Sequence, residues 1–193
     1  IQWLRDKLQI IGSAKETEGI ALSRPDNGGC YLVPAFSGLG APWWDAGARG
    51  YLRAHRSLGP LVARSRRVRV HGIPELRCAS RHGADAGSRL DSLSVDGGAS
   101  RNEFIMQFQA DLLGIPVDQT ESVETTALGA AYLAGLAVVL EDHEELRQNH
   151  DYAKRFMPQM NEEDRARNLA GWHDAVARAR SMRASSSALV GTR

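Results

Sequence analysis

Cysteine is nearly missing from this 193-residue chain, Cys30 and Cys78 being the only two. Two cysteines cannot build a disulfide scaffold, and no CxxC or Cys/His pairing offers a metal site. That scarcity fits a reduced, cytoplasmic setting. Long apolar runs are missing too: the longest, ALGAAYLAGLAVVL at 127–140, falls short of the roughly 18 residues a membrane span needs. With 24 basic residues against 23 acidic ones, no net charge steers the chain toward nucleic acid or acidic lipid. The six histidines are scattered singly. No nucleophile, base and orienting partner stand together, so no chemistry follows from a local constellation and no catalytic or metal-ligating residue is assigned.

What is present is an ordinary globular composition, 42% hydrophobic and 24% charged, enough for one domain with a core. No signal peptide is visible, and the opening on Ile1 leads us to expect a piece of a longer protein. Residues 1–9 read as a helix end, and 12–29 as a loop or a poorly defined short helix. CYLVPAF at 30–36 is a short strand stopped by proline. SGLGAPWWDAGARG at 37–50 has too many glycines for a regular element and reads as an ordered loop pinned by Trp43 and Trp44. It either caps the core or lines a cleft.

From Leu90 the grammar of an α/β layer is plain. LDSLSVDGGASRNEFIMQFQADLLGIPV gives a short strand, a glycine turn, a helix over about 101–113 and a second extended piece. Ser100 followed by Glu103 predicts a capping box, worth about 1 kcal/mol. Ile105, Phe108 and Leu112 share one face, and Gly114 ends the helix. Over 127–140 a second helix, with Thr125 and Thr126 as candidate caps, carries little bulk on any face and is expected to be buried. Residues 141–160 turn polar. A third helix over 161–180 has Asn161 as cap, Glu162 and Glu163 at its positive end and arginines toward its negative end. The tail 181–193 is expected to be disordered.

Between 49 and 89 the chain is anomalous, with ten arginines, no lysine, and only Glu75 and Asp85 as acids. Neither helical nor strand periodicity persists over 57–72. Arginine enrichment invites an RNA-binding reading, but interleaved aromatics and a clean amphipathic helix are both lacking. A glycine pair between strand and helix, as at Gly97–Gly98, lets backbone approach a ligand, yet it is neither GxGxxG nor a Walker loop. Locally, Asp96 either serves the turn, the favoured role, or orients water near a metal, and Asn102 either reaches a ligand or is a polar residue on the solvent face.

Taken in order, IQWLRD, YLVPAFSGLGAPWWDAGARG, LSVDGGASRNEFIMQFQADLLGIPV, ETTALGAAYLAGLAVVL and FMPQMNEEDRARNLAGWHDAV resemble the carboxyl-terminal domain of FGGY carbohydrate kinases, most of all the glycerol kinases. The resemblance covers roughly 1–9, 30–50 and 90–180. It implies an α/β, actin-like (ribonuclease H-like) domain over 1–180, the carboxyl-terminal half of a two-domain kinase. It also implies ATP with Mg2+ as cofactors, and phosphoryl transfer to glycerol, giving glycerol 3-phosphate. Gln2 would line the nucleotide pocket, Gly98 would lie against the nucleotide, and Asn102 would sit beside its adenosine part. Glycerol would be held by another domain, and the full-length enzyme admits a homo-oligomer; neither nucleic acid nor membrane is implied as a partner. A noncatalytic nucleotide-binding remnant, another FGGY sugar kinase and a basic RNA-binding module are the alternatives.

Two departures stand out. The family's GDQ motif, with its catalytic aspartate, does not occur in this chain, so the chain alone is expected to be inactive. Where the family reads approximately HxxRAxLExIAYQxRDV, this chain carries its arginine-rich stretch. Abrupt loss and return of similarity at near-normal spacing is the pattern of two compensating frameshifts between about residues 51 and 87. Losing an amphipathic helix there predicts a marginal or partly unfolded chain.

Overall fold

The computed structural model describes residues 2–7, 9, 11–23, 26–53, 90–122, 124–138 and 152–181. All but the edges of the arginine-rich stretch, and the tail beyond Ser181, lie outside the described residues. Helices α1 (Gln2–Asp6) and α2 (Glu16–Leu22) precede a hairpin of β1 (Tyr31–Val33) and β2 (Tyr51–Arg53). Its antiparallel register pairs Leu32 with Leu52. After the gap come β3 (Leu93–Val95), a 3-10 turn (Gly98–Arg101), α3 (Glu103–Leu113), β4 (Val117–Thr120), α4 (Thr125–Val138), β5 (Tyr152–Phe156) and α5 (Glu162–Ala179).

Strands β3 and β4 are parallel, joined through α3, the strand-helix-strand unit expected from the sequence. On the other side of β4, β5 runs antiparallel, pairing Val117 with Phe156. Apolar spacing on α3 explains its place between the two sheets. Phe108 and Leu112 join Tyr31, Leu32, Val33, Trp172 and Val176 in one core. Ile105, Met106 and Ala110 join Val117 and Phe156 in a second. Helix α5 closes the first core over the hairpin. At Gly171 a Cβ would run into the Tyr31 ring and hydroxyl, so glycine is needed there for helix and strand to approach.

Several expectations require correction. Ser100 does not cap α3: it is buried in the 3-10 turn and its Oγ donates to the Gly97 carbonyl at 2.7 Å. The helix starts at Glu103, and the cap is Asn102, whose Oδ1 accepts from the Ile105 amide at 3.0 Å. The 3-10 turn consumes the residues that the capping-box spacing assigned to the helix. Thr125 and Thr126 are the first residues of α4 rather than its caps. Helix α4 is also not buried: Leu133 is 70% and Val138 82% exposed. A strand, β5, stands within the polar stretch 141–160, and Ser181 is held by Asp45, which accepts from its amide at 2.9 Å and its hydroxyl at 2.6 Å. Asn161 does cap α5, accepting from the Asp164 amide at 2.8 Å, and Gly114 ends α3 at φ +71°.

Candidate functional site

The glycine turn lies between β3 and α3, at the carboxyl end of a parallel strand, where α/β sheets present ligand-facing loops. Gly97 has φ +81° and ψ 176°, a conformation that side chains disfavour. Gly98 is different. No positive φ constrains it, and a Cβ built there would meet nothing within 4 Å. Neither backbone strain nor packing among the described residues requires glycine at this position.

Side chains lock this turn from three directions. Ser100 Oγ closes it onto Gly97, Gln119 Nε2 on β4 donates to the Ser100 carbonyl at 2.9 Å, and Asn102 Nδ2 donates to Thr17 Oγ1 on α2 at 3.1 Å. Asn102 is half-buried with both ends of its carboxamide engaged. Sequence reasoning singled out Gly98 and Asn102, and the structure brings them into one turn. Thr17 and Gln119 were missed, because their roles depend on contacts across 85 and 19 positions that no local pattern carries. Gln2 opens α1, and its side chain lies outside the described set. No described contact joins it to the turn.

Electrostatics beneath the turn are organised around Asp118 on β4. This side chain is nearly fully buried and pairs with Arg155 on β5 through Nε and Nη2 at 2.5 and 2.9 Å. The guanidinium hydrogen bonds, helped by the Ser92 hydroxyl, hold its carboxyl below the usual aspartate range against the opposing effect of burial. Asp118 therefore fixes β4 to β5 and faces no open site. Among the described residues no group of three or more His, Cys, Asp or Glu could hold a metal ion. A separate cleft of about 300 Å³, lined by Asn27, Gly28, Phe108, Met160 and Arg167 among others, includes none of Gln2, Gly98 or Asn102.

A mixed α/β domain with a glycine turn leading into a capped helix defines the class: one half of an actin-like ATPase fold. The chain belongs to the FGGY family of carbohydrate kinases, whose C-terminal domain matches residues 1–138. It is a homologue of glycerol kinases. The glycerol kinase of Solidesulfovibrio magneticus is 48% identical over 189 residues, covering 93% of this chain and 37% of the relative. That of Caldanaerobacter subterraneus is 47% identical, with 93% and 36% covered. Plasmodium falciparum glycerol kinase, solved with ADP, superposes with a TM-score of 0.78 at 28% identity over 94% of this chain and 36% of that one. A xylulose kinase from Lactobacillus acidophilus, at 19% identity, 91% and 36% coverage and TM-score 0.72, shares the fold. The chain thus spans little more than a third of the length of the relatives it matches. Among the described residues no helix is long and apolar enough to cross a membrane.

Proposed function

We propose that the turn from Gly97 to Asn102 is the nucleotide-facing wall of an ATP-dependent glycerol kinase, in which this chain supplies part of the ATP/ADP site and another domain supplies the glycerol site. The observation carrying this reading is Gly98: a glycine with ordinary backbone geometry and open space above it, on a turn locked by three side-chain hydrogen bonds. Such a surface admits a ligand against bare backbone with little reorganisation on binding. Support comes also from the ADP named with the Plasmodium glycerol kinase and from the relatives' activity.

Phosphoryl transfer of this kind rests on positioning and charge neutralisation. The family's carboxylate that takes the glycerol hydroxyl proton belongs to the GDQ motif, which this chain lacks. Its own share is to hold the nucleotide. Mg2+ would arrive with the nucleotide phosphates, and no step is assigned to a metal ligand of this chain. By the family resemblance alone, Gln2 at the start of α1 is proposed to line the same nucleotide pocket.

Calorimetry with ADP tests the reading. The chain is expected to bind ADP, and Gly98→Val to weaken binding about tenfold or more with little change in the thermal transition, since a Cβ there meets nothing within 4 Å among the described residues. Absence of heat from ADP, or equal binding by Gly98→Val, would overturn it. Glycerol as the acceptor is tested on the protein encoded by the full coding region, by ATP-dependent formation of glycerol 3-phosphate.

A further inference from the structure

We infer that Thr17 is a positioning residue for this wall: its buried hydroxyl fixes the orientation of the Asn102 carboxamide. The inference rests on the nucleotide reading for its functional meaning, and on geometry alone for its structural content. Thr17 is fully buried on α2. Its Oγ1 donates to the Ala14 carbonyl at 2.6 Å, so toward Asn102 only hydroxyl lone pairs remain. Asn102 answers with Nδ2 at 3.1 Å and turns Oδ1 onto the Ile105 amide at 3.0 Å.

Rotating the carboxamide by half a turn would set Oδ1 against a hydroxyl whose proton is already used and the amide NH2 against a backbone N–H. Both contacts would become repulsive, and buried polar groups would lose their partners. One carboxamide orientation therefore survives. It leaves one N–H of Asn102 beyond the Thr17 bond, pointing the recognition chemistry to an acceptor atom, such as a ring nitrogen of a purine or a ribose oxygen. At that N–H a ligand is met by a donor and answers with an acceptor.

Thr17→Val keeps the shape and removes the hydroxyl; Thr17→Ser keeps the hydroxyl. Two readouts are needed. Without ligand, hydrogen exchange of the Ile105 amide is expected to quicken about three- to tenfold in Thr17→Val relative to its helix neighbours, and to return to the original rate in Thr17→Ser. With ligand, ADP affinity is expected to fall about three- to tenfold in Thr17→Val and to be restored in Thr17→Ser. In an Asn102→Ala background the Thr17→Val effect on ADP should vanish, because the coupled partner is gone. Unchanged Ile105 exchange in Thr17→Val would overturn the inference. If the unaltered chain binds no ADP, the nucleotide reading fails, while Ile105 exchange still decides whether Thr17 fixes Asn102.

Discussion

Two helices that follow one another along the chain have opposite fates. Helix α3 buries Ile105, Met106, Phe108, Gln109, Ala110 and Leu112 between two sheets. Helix α4 is the more uniformly apolar in sequence, yet leaves Leu133 and Val138 at 70% and 82% exposed. A helix apolar on every side belongs inside a protein. The difference lies in what stands opposite: α3 has both sheets and α5, whereas among the described residues α4 faces nothing that covers Leu133 or Val138. Burial is a property of the pair, and among the described residues nothing covers Leu133 or Val138.

The largest expected effect concerns residues 54–89, which lie between β2 and β3 in the sequence, where the resemblance implies RAxLExIAYQxRDV and this chain is arginine-rich. Arginine codons of the form CGN, read one base later, begin with G and spell Ala, Val, Gly, Asp or Glu. Codons that can spell Ser65–Ala79 admit, one base later, the sequence RAxLExTAYQSxDV. It shares R, A, L, E, A, Y, Q, D and V in register with the family's RAxLExIAYQxRDV. Resequencing the coding DNA is expected to reveal two compensating frame changes flanking this stretch; an intact frame encoding these arginines would remove the idea. A chain carrying the restored frame is expected to unfold cooperatively, with a midpoint about 10 °C or more above the unaltered chain, since several large side chains return at about 1.5–3 kcal/mol each. A cooperative transition of the unaltered chain well above about 50 °C would contradict the marginal stability predicted for it.

Next in size is a pair of truncations that sets the two helices side by side. Phe108 is 6% exposed and stacks on Phe104 at 5.8 Å between ring centroids, so Phe108→Ala is expected to cost about 3–5 kcal/mol in urea unfolding. Leu133→Ala should change stability by less than about 0.5 kcal/mol in the unaltered chain. With the frame restored, Leu133→Ala should rise to about 2 kcal/mol or more. If its cost stays near zero there, the restored segment does not cover α4.

Legibility divides along the same line. The β3–turn–α3–β4 unit was readable because period, cap residues and turn glycines agree within a short window, and Asn161 stood where a cap should. Ser100 misled because Ser followed by Glu three residues later fits a capping box, while the extra 3-10 turn that moves the cap to Asn102 leaves no mark in spacing. Strand β5 was illegible because YAKRF is exposed at every residue but Phe156, and among the described residues it pairs on one side only, with Lys154 and Arg155 toward solvent. Of the candidate site, Gly98 and Asn102 were singled out through the turn and the resemblance. Thr17 was hidden because its role exists only once α2 packs against the amino end of α3. The burial expected of α4 was a sound inference from its composition; the partner that would satisfy it is what the described residues lack.

A last effect concerns Asp118 and Arg155, which tie β5 to the strand beside the turn. Arg155 holds the Asp118 carboxyl below its ordinary value of about 3.9. A carboxylate depressed in the folded state stabilises the fold at pH values above its unfolded pKa, and that contribution is lost as pH falls through the lowered folded value. Arg155→Gln removes the cause while leaving the apolar core untouched. The variant is therefore expected to be less stable than the parent at pH 7, with the gap closing as pH drops below about 4. Arg155 is 58% exposed but Asp118 only 2%, so the gap is the cost of a buried carboxylate left without its partner, reduced by solvent screening on the guanidinium side. Urea midpoints of both proteins between pH 7 and pH 2 provide the check, and a gap that persists unchanged into acid would mean that Arg155 stabilises β5 by packing along its stem rather than through the Asp118 charge.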